Sequence, residues 1–307
     1  MIIKTLKDLA KSSQYDQQLM NIMGAFVPLA LQLPQLRDNP QMMEEIIKKT
    51  SVSGVTDVAT NADIFVQGKL KSTVLEKHPD WQFWGEEGKD NISEYDSTKK
   101  FLFIIDPIEG TNNFKSRKDN QWGSVVALVD IETKIPVLGI VALPSRRRFY
   151  LGIKNAGAYT VEYGEDGQVK SFSPMPEESE FSEFTYNNSP HFEEPLTQQV
   201  QRFFALGTIQ PDEPSADDLE RSRKVIQIGG VTFVDPESGA LEAIRNRGTI
   251  YFKTSNEMAA VFVILNELGG KVTDGNGNSW VLGINTLIAA KNETDYNFLK
   301  NLCDKTK

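Results

Sequence analysis

Phe101-Leu102-Phe103-Ile104-Ile105-Asp106-Pro107-Ile108-Glu109-Gly110-Thr111-Asn112-Asn113-Phe114 is the stretch on which the reading of this chain turns. Five apolar residues in a row, bounded by a turn signal, describe a strand buried on both faces. The strand delivers two carboxylates, Asp106 and Glu109, just past its apolar run. Gly110 follows, where the backbone can come close to a ligand. The amides after it suit an anion-binding nest or the start of a helix. Carboxylates of this kind suit Mg²⁺, which takes oxygen ligands and keeps water and phosphate in its shell. Taken alone, the segment also fits an ordinary Asp-Pro turn at a strand end.

The chain around it has 307 residues, 39% of them hydrophobic, enough for a substantial core. Asp and Glu total 42 against 33 Lys and Arg, a net charge of -9. A nucleic-acid partner is not expected, since such binding relies on basic groups that neutralise phosphates. An acidic protein that handles phosphate needs metal cations or backbone amides to supply positive charge. One cysteine, Cys303, rules out an intrachain disulfide and fits a cytoplasmic setting. No long apolar stretch follows the first lysines, so no signal peptide is expected. The apolar run Ile22 to Leu31 is short for a bilayer, which takes ~20 residues, so no membrane association is expected.

Ile2, Ile3, Leu6, Leu9 and Ala10 lie near helical spacing, and Met20 to Leu33 is a second apolar helix that Pro28 and Pro34 should bend or end. Ala62, Phe65, Val66, Leu70, Thr73 and Val74 mark a third, with Thr60 and Asp63 placed as a capping box. Strands are expected at Trp81 to Trp84, Phe101 to Ile105, Ser124 to Val129, Val137 to Leu143, Phe149 to Gly152 and Ala158 to Val161. The last four form an antiparallel meander. Ser171 to Glu183 is the best linker, which divides the chain into residues 1–180 and 181–307. Beyond it strands (Phe184 to Tyr186, Val225 to Ile228, Thr249 to Phe252, Leu287 to Ala290) alternate with helical segments (Leu196 to Leu206, Leu241 to Arg245, Glu257 to Leu268), and Tyr296 to Cys303 closes the series. This is an α/β rhythm.

Three further acidic positions stand out. Glu86 and Glu87 follow the strand-like Trp81 to Trp84, where a solvated turn is the plain explanation. Asp57 precedes the Ala62 helix as a loop residue would. Glu257 completes Thr254-Ser255-Asn256-Glu257, which fits a capping box ahead of Met258 to Leu268. Asp274-Gly-Asn-Gly-Asn-Ser begins like a calcium loop, but Ser279 and Asn285 stand where the glycine and glutamate belong, so a turn is expected. Two histidines, His78 and His191, exclude a His-rich zinc site. His191, beside Ser189-Pro190, reads as a surface-loop residue.

The order of these elements is more telling than any one of them. Asp57-Val58-Ala59-Thr60-Asn61-Ala62-Asp63, Gly85-Glu86-Glu87, Asp106-Pro107-Ile108-Glu109-Gly110-Thr111, then Glu257 before Glu267-Leu268-Gly269-Gly270, resembles the inositol monophosphatase superfamily. Its motifs run D-x-V-T-x-x-D, G-E-E, D-P-[IL]-D-G-[TS] and W-D-x-A-A ahead of E-A-G-G. The resemblance implies a layered α-β-α-β-α fold and metal-assisted hydrolysis of a phosphate monoester, with Mg²⁺ as cofactor and Mn²⁺ as the alternative.

Carried over residue by residue, it implies a first metal on Glu86, Asp106 and the Ile108 carbonyl, and a second on Asp106, Glu109 and Glu257. Glu86 and Thr111 would position the attacking water, with Asp57 hydrogen-bonded to Thr111. Backbone amides at Gly110 and Thr111, with Asn112 beside them, would hold the phosphate. The substrate class implied is a small phosphorylated metabolite, an inositol monophosphate or similar sugar phosphate. The alternatives are a fructose-bisphosphatase, a nucleotide 3'-phosphatase, or a non-catalytic phosphate-binding protein with a degenerate second metal site. Lithium sensitivity and a homodimer are further expectations of the resemblance. Two positions depart from the pattern. Glu109 stands for the second aspartate of D-P-I-D-G-T, and Asn256-Glu257 for the W-D pair. Each adds a methylene where Mg²⁺–O distances are held near ~2.1 Å.

Overall fold

The computed structural model describes residues 14–50, 56–90, 94–117, 122–175, 184–188, 225–228, 231–234, 248–252, 255–290 and 292–304. The chain opens with helix α1 (Asp16–Leu36) and the hairpin of β1 (Glu45–Thr50) and β2 (Thr56–Thr60), followed by α2 (Asn61–Lys77). A seven-stranded sheet comes next: β3 (Gln82–Gly85), β4 (Phe101–Glu109), β5 (Gly123–Asp130), β6 (Ile135–Leu143), β7 (Arg148–Ile153), β8 (Gly157–Tyr163) and β9 (Val169–Pro174). The strands lie in sequence order, with β3 and β4 parallel and every later pair antiparallel. Between β4 and β5 sits the five-residue helix α3 (Thr111–Lys115).

Alternation along β4 explains how one apolar run serves two cores. Phe101, Phe103 and Ile105 belong to a cluster with Phe26, Leu33, Val66 and Leu70 of α1 and α2. Leu102 and Ile104 belong to a second cluster on the opposite face. Successive side chains of a strand point to opposite faces, so a strand covered by helices on both sides must be apolar at every position.

The second face is covered by α4 (Ser255–Glu267), whose Met258, Val261 and Ile264 pack with Val125, Val141 and Tyr150. The helix comes close because β6 and β7 carry glycines beneath it. A Cβ on Gly139 would lie 2.2 Å from the Ala260 carbonyl oxygen, and one on Gly152 would lie 2.7 Å from the Ile264 backbone nitrogen. Beyond α4 lies a second sheet of β10 (Phe184–Asn188), β13 (Gly248–Phe252), β14 (Lys271–Thr273) and β15 (Thr286–Ala290), in the order β10-β13-β15-β14. The two strands between β10 and β13, β11 (Val225–Ile228) and β12 (Val231–Val234), form a separate hairpin. Helix α5 (Glu293–Asp304) packs on β13 and β15. The layers are therefore helix, sheet, helix, sheet, helix, as the resemblance implied. Glu267 locks α4 to the first sheet, since its carboxylate accepts the N–H groups of Asn155 at 2.8 Å and Gly157 at 2.9 Å.

Several expectations change. Pro28 and Pro34 do not end the first helix, which runs 21 residues through both. Pro28 is exposed, so its ring lies on the solvent side while nine other residues of the helix are buried. That burial outweighs the lost N–H bonds. The helix is thus long and apolar enough to cross a bilayer by length and composition. Its apolar side is committed to the sheet, where Phe26 is fully buried with its ring 5.6 Å from that of Phe149. The first residues of the linker expected from Ser171 are strand instead, because β9 extends to Pro174 on β8. The hairpin β1–β2, the hairpin partner β12 and the short β14 were not expected. The segments Ile2 to Ala10, Leu196 to Leu206 and Leu241 to Arg245, and His191 with them, lie outside the described residues. The Asp274 loop is a turn, with Oδ1 accepting the N–H groups of Asn276 and Asn278, both at 2.8 Å.

Candidate active site

The site is assembled where β3 and β4 end side by side. Their parallel pairing continues past the sheet, and the Glu86 N–H reaches the Ile105 carbonyl at 3.1 Å. This sets Glu86 next to Asp106. A β-bulge then interrupts β4, since Asp106 pairs with Val125 but Glu109 with Gly123. Pro107 falls within it, at a place where a missing N–H costs no ladder bond. The bulge re-aims the end of the strand. Gly110 turns the chain with φ of +84° and caps α3, accepting the N–H of Asn113 at 2.9 Å and of Phe114 at 3.0 Å. The first amides of a helix, here those of Thr111 and Asn112, have no acceptor within it.

Asp106 is the centre of the arrangement. It is 6% exposed, and its Oδ1 is buried without a hydrogen-bond partner. Burial first, and then the charges of Glu86 and Glu109, push its pKa well above the ordinary carboxylate range. A buried oxygen without a donor, flanked by two more carboxylates, is an arrangement that a cation would stabilise.

Opposite these acids lies Lys48 of β1. Its ammonium is 2.6 Å from Glu86 Oε1 and 2.7 Å from Glu87 Oε1. Burial alone would lower the pKa of Lys48, but the two glutamates raise it above the ordinary lysine value. Glu87 is pushed up to about 7, first by burial and then by the charge of Glu86, with Lys48 opposing both. Its backbone is fixed by Gln67, which accepts the Glu87 N–H and donates to its carbonyl, each at 2.9 Å. Gly85 makes room for that amide, since a Cβ there would lie 2.3 Å from the Gln67 side chain. A second ion pair, Lys115 to Glu45 at 2.5 Å, ties α3 to the same hairpin.

Asp63 joins the site from α2. Its Oδ2 accepts the Thr60 N–H at 2.7 Å and the Thr60 hydroxyl at 2.6 Å, and the capping box is complete. Its other oxygen receives the Thr111 hydroxyl at 3.4 Å, and the same hydroxyl lies 3.0 Å from the Ile108 carbonyl. Burial pushes the Asp63 pKa up to about 6, against the pull of its bonds to Thr60.

The structure thus brings together Glu86, Asp106, Ile108, Glu109, Gly110, Thr111 and Asn112. Asp57 lies in β2, in register with Lys49, and Glu257 in the first turn of α4. The side chains of both lie outside the described residues. Among the described residues, no three His, Cys, Asp or Glu side chains already surround a single point as metal ligands. Three contributors escaped the sequence reading. Asp63 figures there as a helix cap and as the closing aspartate of the D-x-V-T-x-x-D stretch but with no role at the site, Glu87 is the half of the acidic pair without a role, and Lys48 is not singled out. The signal for Asp63 was its place as the closing aspartate of the D-x-V-T-x-x-D stretch.

The residues fit a hard divalent cation. The donors are all oxygens, one of them orphaned and buried, and an ammonium already stands against two of the carboxylates.

With this geometry in view, the chain belongs to the inositol monophosphatase family, whose model matches residues 36–306. Inositol monophosphatase 1 of Xenopus laevis is 26% identical over 249 residues, covering 80% of this chain and 79% of its own. Among solved structures, a staphylococcal inositol monophosphatase complexed with products superposes with a TM-score of 0.59 at 19% identity, covering 93% of this chain and 95% of that one. An inositol monophosphatase/NADP phosphatase complexed with Mg²⁺ and phosphate gives a TM-score of 0.57 at 18% identity, with coverage of 93% and 95%. At these identities the structures speak for the fold. The family is one of phosphatases that act on small phosphorylated substrates and are generally metal-dependent.

Proposed function

We propose that the chain is a Mg²⁺-dependent phosphomonoesterase acting on an inositol monophosphate or a similar sugar phosphate. The observation that carries the reading is the buried Asp106, with an unpaired oxygen, set between Glu86 and Glu109 one turn from the Gly110-Thr111 helix start. Glu86, Asp106 and the Ile108 carbonyl would hold one ion, and Asp106, Glu109 and Glu257 the other. When bound, such ions lower the pKa of water and offset charge on the attacking and leaving oxygens. A relative complexed with Mg²⁺ and phosphate supports that choice of cofactor.

The chain's own groups then have defined tasks. The Thr111 hydroxyl donates its hydrogen bond to Asp63 or the Ile108 carbonyl, which leaves its lone pairs to accept from a water O–H. Glu86 accepts the other water proton, so the oxygen faces phosphorus. The amides of Gly110, Thr111 and Asn112 cradle the phosphate oxygens. The water oxygen bonds to phosphorus, the phosphorus–ester oxygen bond breaks, one water proton ends on the leaving alkoxide and the other stays with the inorganic phosphate. In this scheme Asp63 takes the role of partner to Thr111 that the resemblance assigned to Asp57.

The test is phosphate release from a panel of inositol, sugar and nucleotide monophosphates, with Mg²⁺ and with excess chelator. Selective release from inositol or sugar phosphates in Mg²⁺ supports the reading. Release from nucleotides alone would move the substrate class, and release from none would favour a binding protein.

A further inference from the structure

Lys48 occupies a position that the proposed chemistry leaves unexplained. A side chain of β1 crosses to the ends of β3 and β4 and sets its ammonium against Glu86 at 2.6 Å and Glu87 at 2.7 Å. The Lys48 side chain is 20% exposed and that of Glu87 3%, so the pairing is largely withdrawn from water. Glu86 is also the residue proposed to hold the first metal. One carboxylate therefore faces two cations that cannot share its outer face without repelling each other.

We infer that Lys48 is a built-in counter-cation that neutralises the Glu86–Glu87 pair in the metal-free protein and is expelled when the first divalent ion binds. The inference rests on the metal-dependent reading of the site given above. The reasoning is electrostatic. Two adjacent carboxylates beside Asp106, Glu87 buried and Glu86 partly so, would repel if left alone, and an ammonium supplies the missing positive charge. A divalent ion bound to Glu86 brings twice that charge to nearly the same place. The ammonium then loses its attraction and meets a like charge within a few ångströms, where the interaction is strong because water is scarce. Metal affinity is thereby set by a competition, and the ion must displace a resident cation to enter.

The fold gives the displaced lysine somewhere to go. Lys48 sits on a two-stranded hairpin whose register is already irregular between Ile47 and Lys49, and Ile47 beside it is 69% exposed. A hairpin of two strands is marginal unless it is packed on something else. Here β2 is packed through the buried Val58, Ala59 and Thr60, while β1 is tied to the site by Lys48 and by the Glu45–Lys115 pair. Release of Lys48 removes one of those ties, so metal binding and the order of residues 45–50 are coupled.

The test is calorimetric titration of the full chain with Mn²⁺ in phosphate-free buffer, for the parent and for Lys48→Met. The substitution keeps much of the length and apolar stem of lysine and removes the charge. The inference expects the variant to bind the first ion about tenfold more tightly and, without metal, to melt at a lower temperature than the parent. At saturating Mn²⁺ the two melting temperatures should converge. A second measurement needs no variant: amide exchange across residues 45–50 of the parent should speed up when Mn²⁺ saturates the site. Weaker or equal Mn²⁺ binding by Lys48→Met, or unchanged exchange in 45–50 with metal bound, overturns the inference while leaving the metal-dependent reading standing. If the parent itself binds no Mn²⁺, the metal-dependent reading fails and the inference falls with it.

Discussion

The hydroxyl of Thr111 donates to Asp63 Oδ1 across 3.4 Å, linking the helix start that would cradle phosphate to the cap of a different helix. Asp63 spends one oxygen on folding, through Thr60, and the other on Thr111. Asp63→Asn keeps an oxygen for one of these partners and cannot serve both as an acceptor. Turnover should fall by about 10²-fold or more, in the range expected for groups that orient a proton transfer. Below pH 4, where native Asp63 is protonated, the variant should lose no more than a helix cap contributes, about 1 kcal/mol. Asp57→Asn, measured alongside, should be milder in turnover. If Asp57→Asn is the more damaging of the two, the resemblance had the right aspartate.

The same residue gives the metal-free protein a pH signature. Native Asp63 keeps its proton to about pH 6, whereas in the unfolded chain it titrates near 3.8. Between these values the native state binds more protons, so stability is highest below 3.8 and falls as pH rises through 6. At 1.36 kcal/mol per unit the loss from Asp63 is on the order of 3 kcal/mol. Glu87, pushed up to about 7, extends the decline in the same direction. Denaturant titrations in chelator from pH 4 to 8 should show this fall in the parent and a shallower one in Asp63→Asn.

Gly139 is predicted to matter beyond the sheet that contains it. A methyl there would meet the Ala260 carbonyl at 2.2 Å and must push α4 outward. Gly139→Ala should cost about 1–3 kcal/mol, as overpacking does. Because α4 also carries Glu257, the variant should need more metal for half-maximal activity. Gly24→Ala is the control, since nothing lies within 4 Å of that position on an exposed face of α1. Its stability should rise by up to about 1 kcal/mol.

Glu109 is where this chain departs from D-P-I-D-G-T. Its longer side chain should favour the more adaptable Mn²⁺ over Mg²⁺, which demands near-ideal octahedral geometry. Glu109→Asp should shift the preference toward Mg²⁺, and Glu109→Gln should weaken the second ion far more than the first. Turnover against metal concentration for the three proteins checks this. Parent-like behaviour of Glu109→Gln with both metals would make it a turn residue.

Much of this was legible beforehand because the decisive signals are local. The unbroken apolar run of β4 and its period-two division between two helix layers specify a strand buried on both faces. The capping box at Thr60 and Asp63 and the six expected strands through Val161 are also written in neighbouring residues. The hairpin β1–β2 escaped because Ile46 and Ile47, adjacent in β1, are both exposed, so its apolar residues show no period-two alternation. Pro28 was misjudged because a helix-breaking propensity of local origin yields to a large buried face, which only the folded chain supplies. Lys48 and Asp63 act at a distance of tens of residues from their partners, Glu86 and Thr111. Spacing in sequence carries no trace of such meetings. The metal-site acids were found through their order along the chain, which the family shares, and the ion pair that faces them was not.

Under the proposed function, catalysis by this site requires a cation at Asp106. The decisive measurement is phosphate release from an inositol monophosphate by the parent and by Asp106→Asn, each with saturating Mg²⁺ and with excess chelator, with melting temperatures recorded for both. The expected result is turnover by the parent in Mg²⁺ alone, none in chelator, and none by Asp106→Asn under either condition. The metal-free variant should melt at or above the temperature of the metal-free parent, because a buried carboxyl that repels its neighbours has been neutralised. Undiminished turnover in excess chelator, or near-parental turnover by Asp106→Asn, would contradict that requirement.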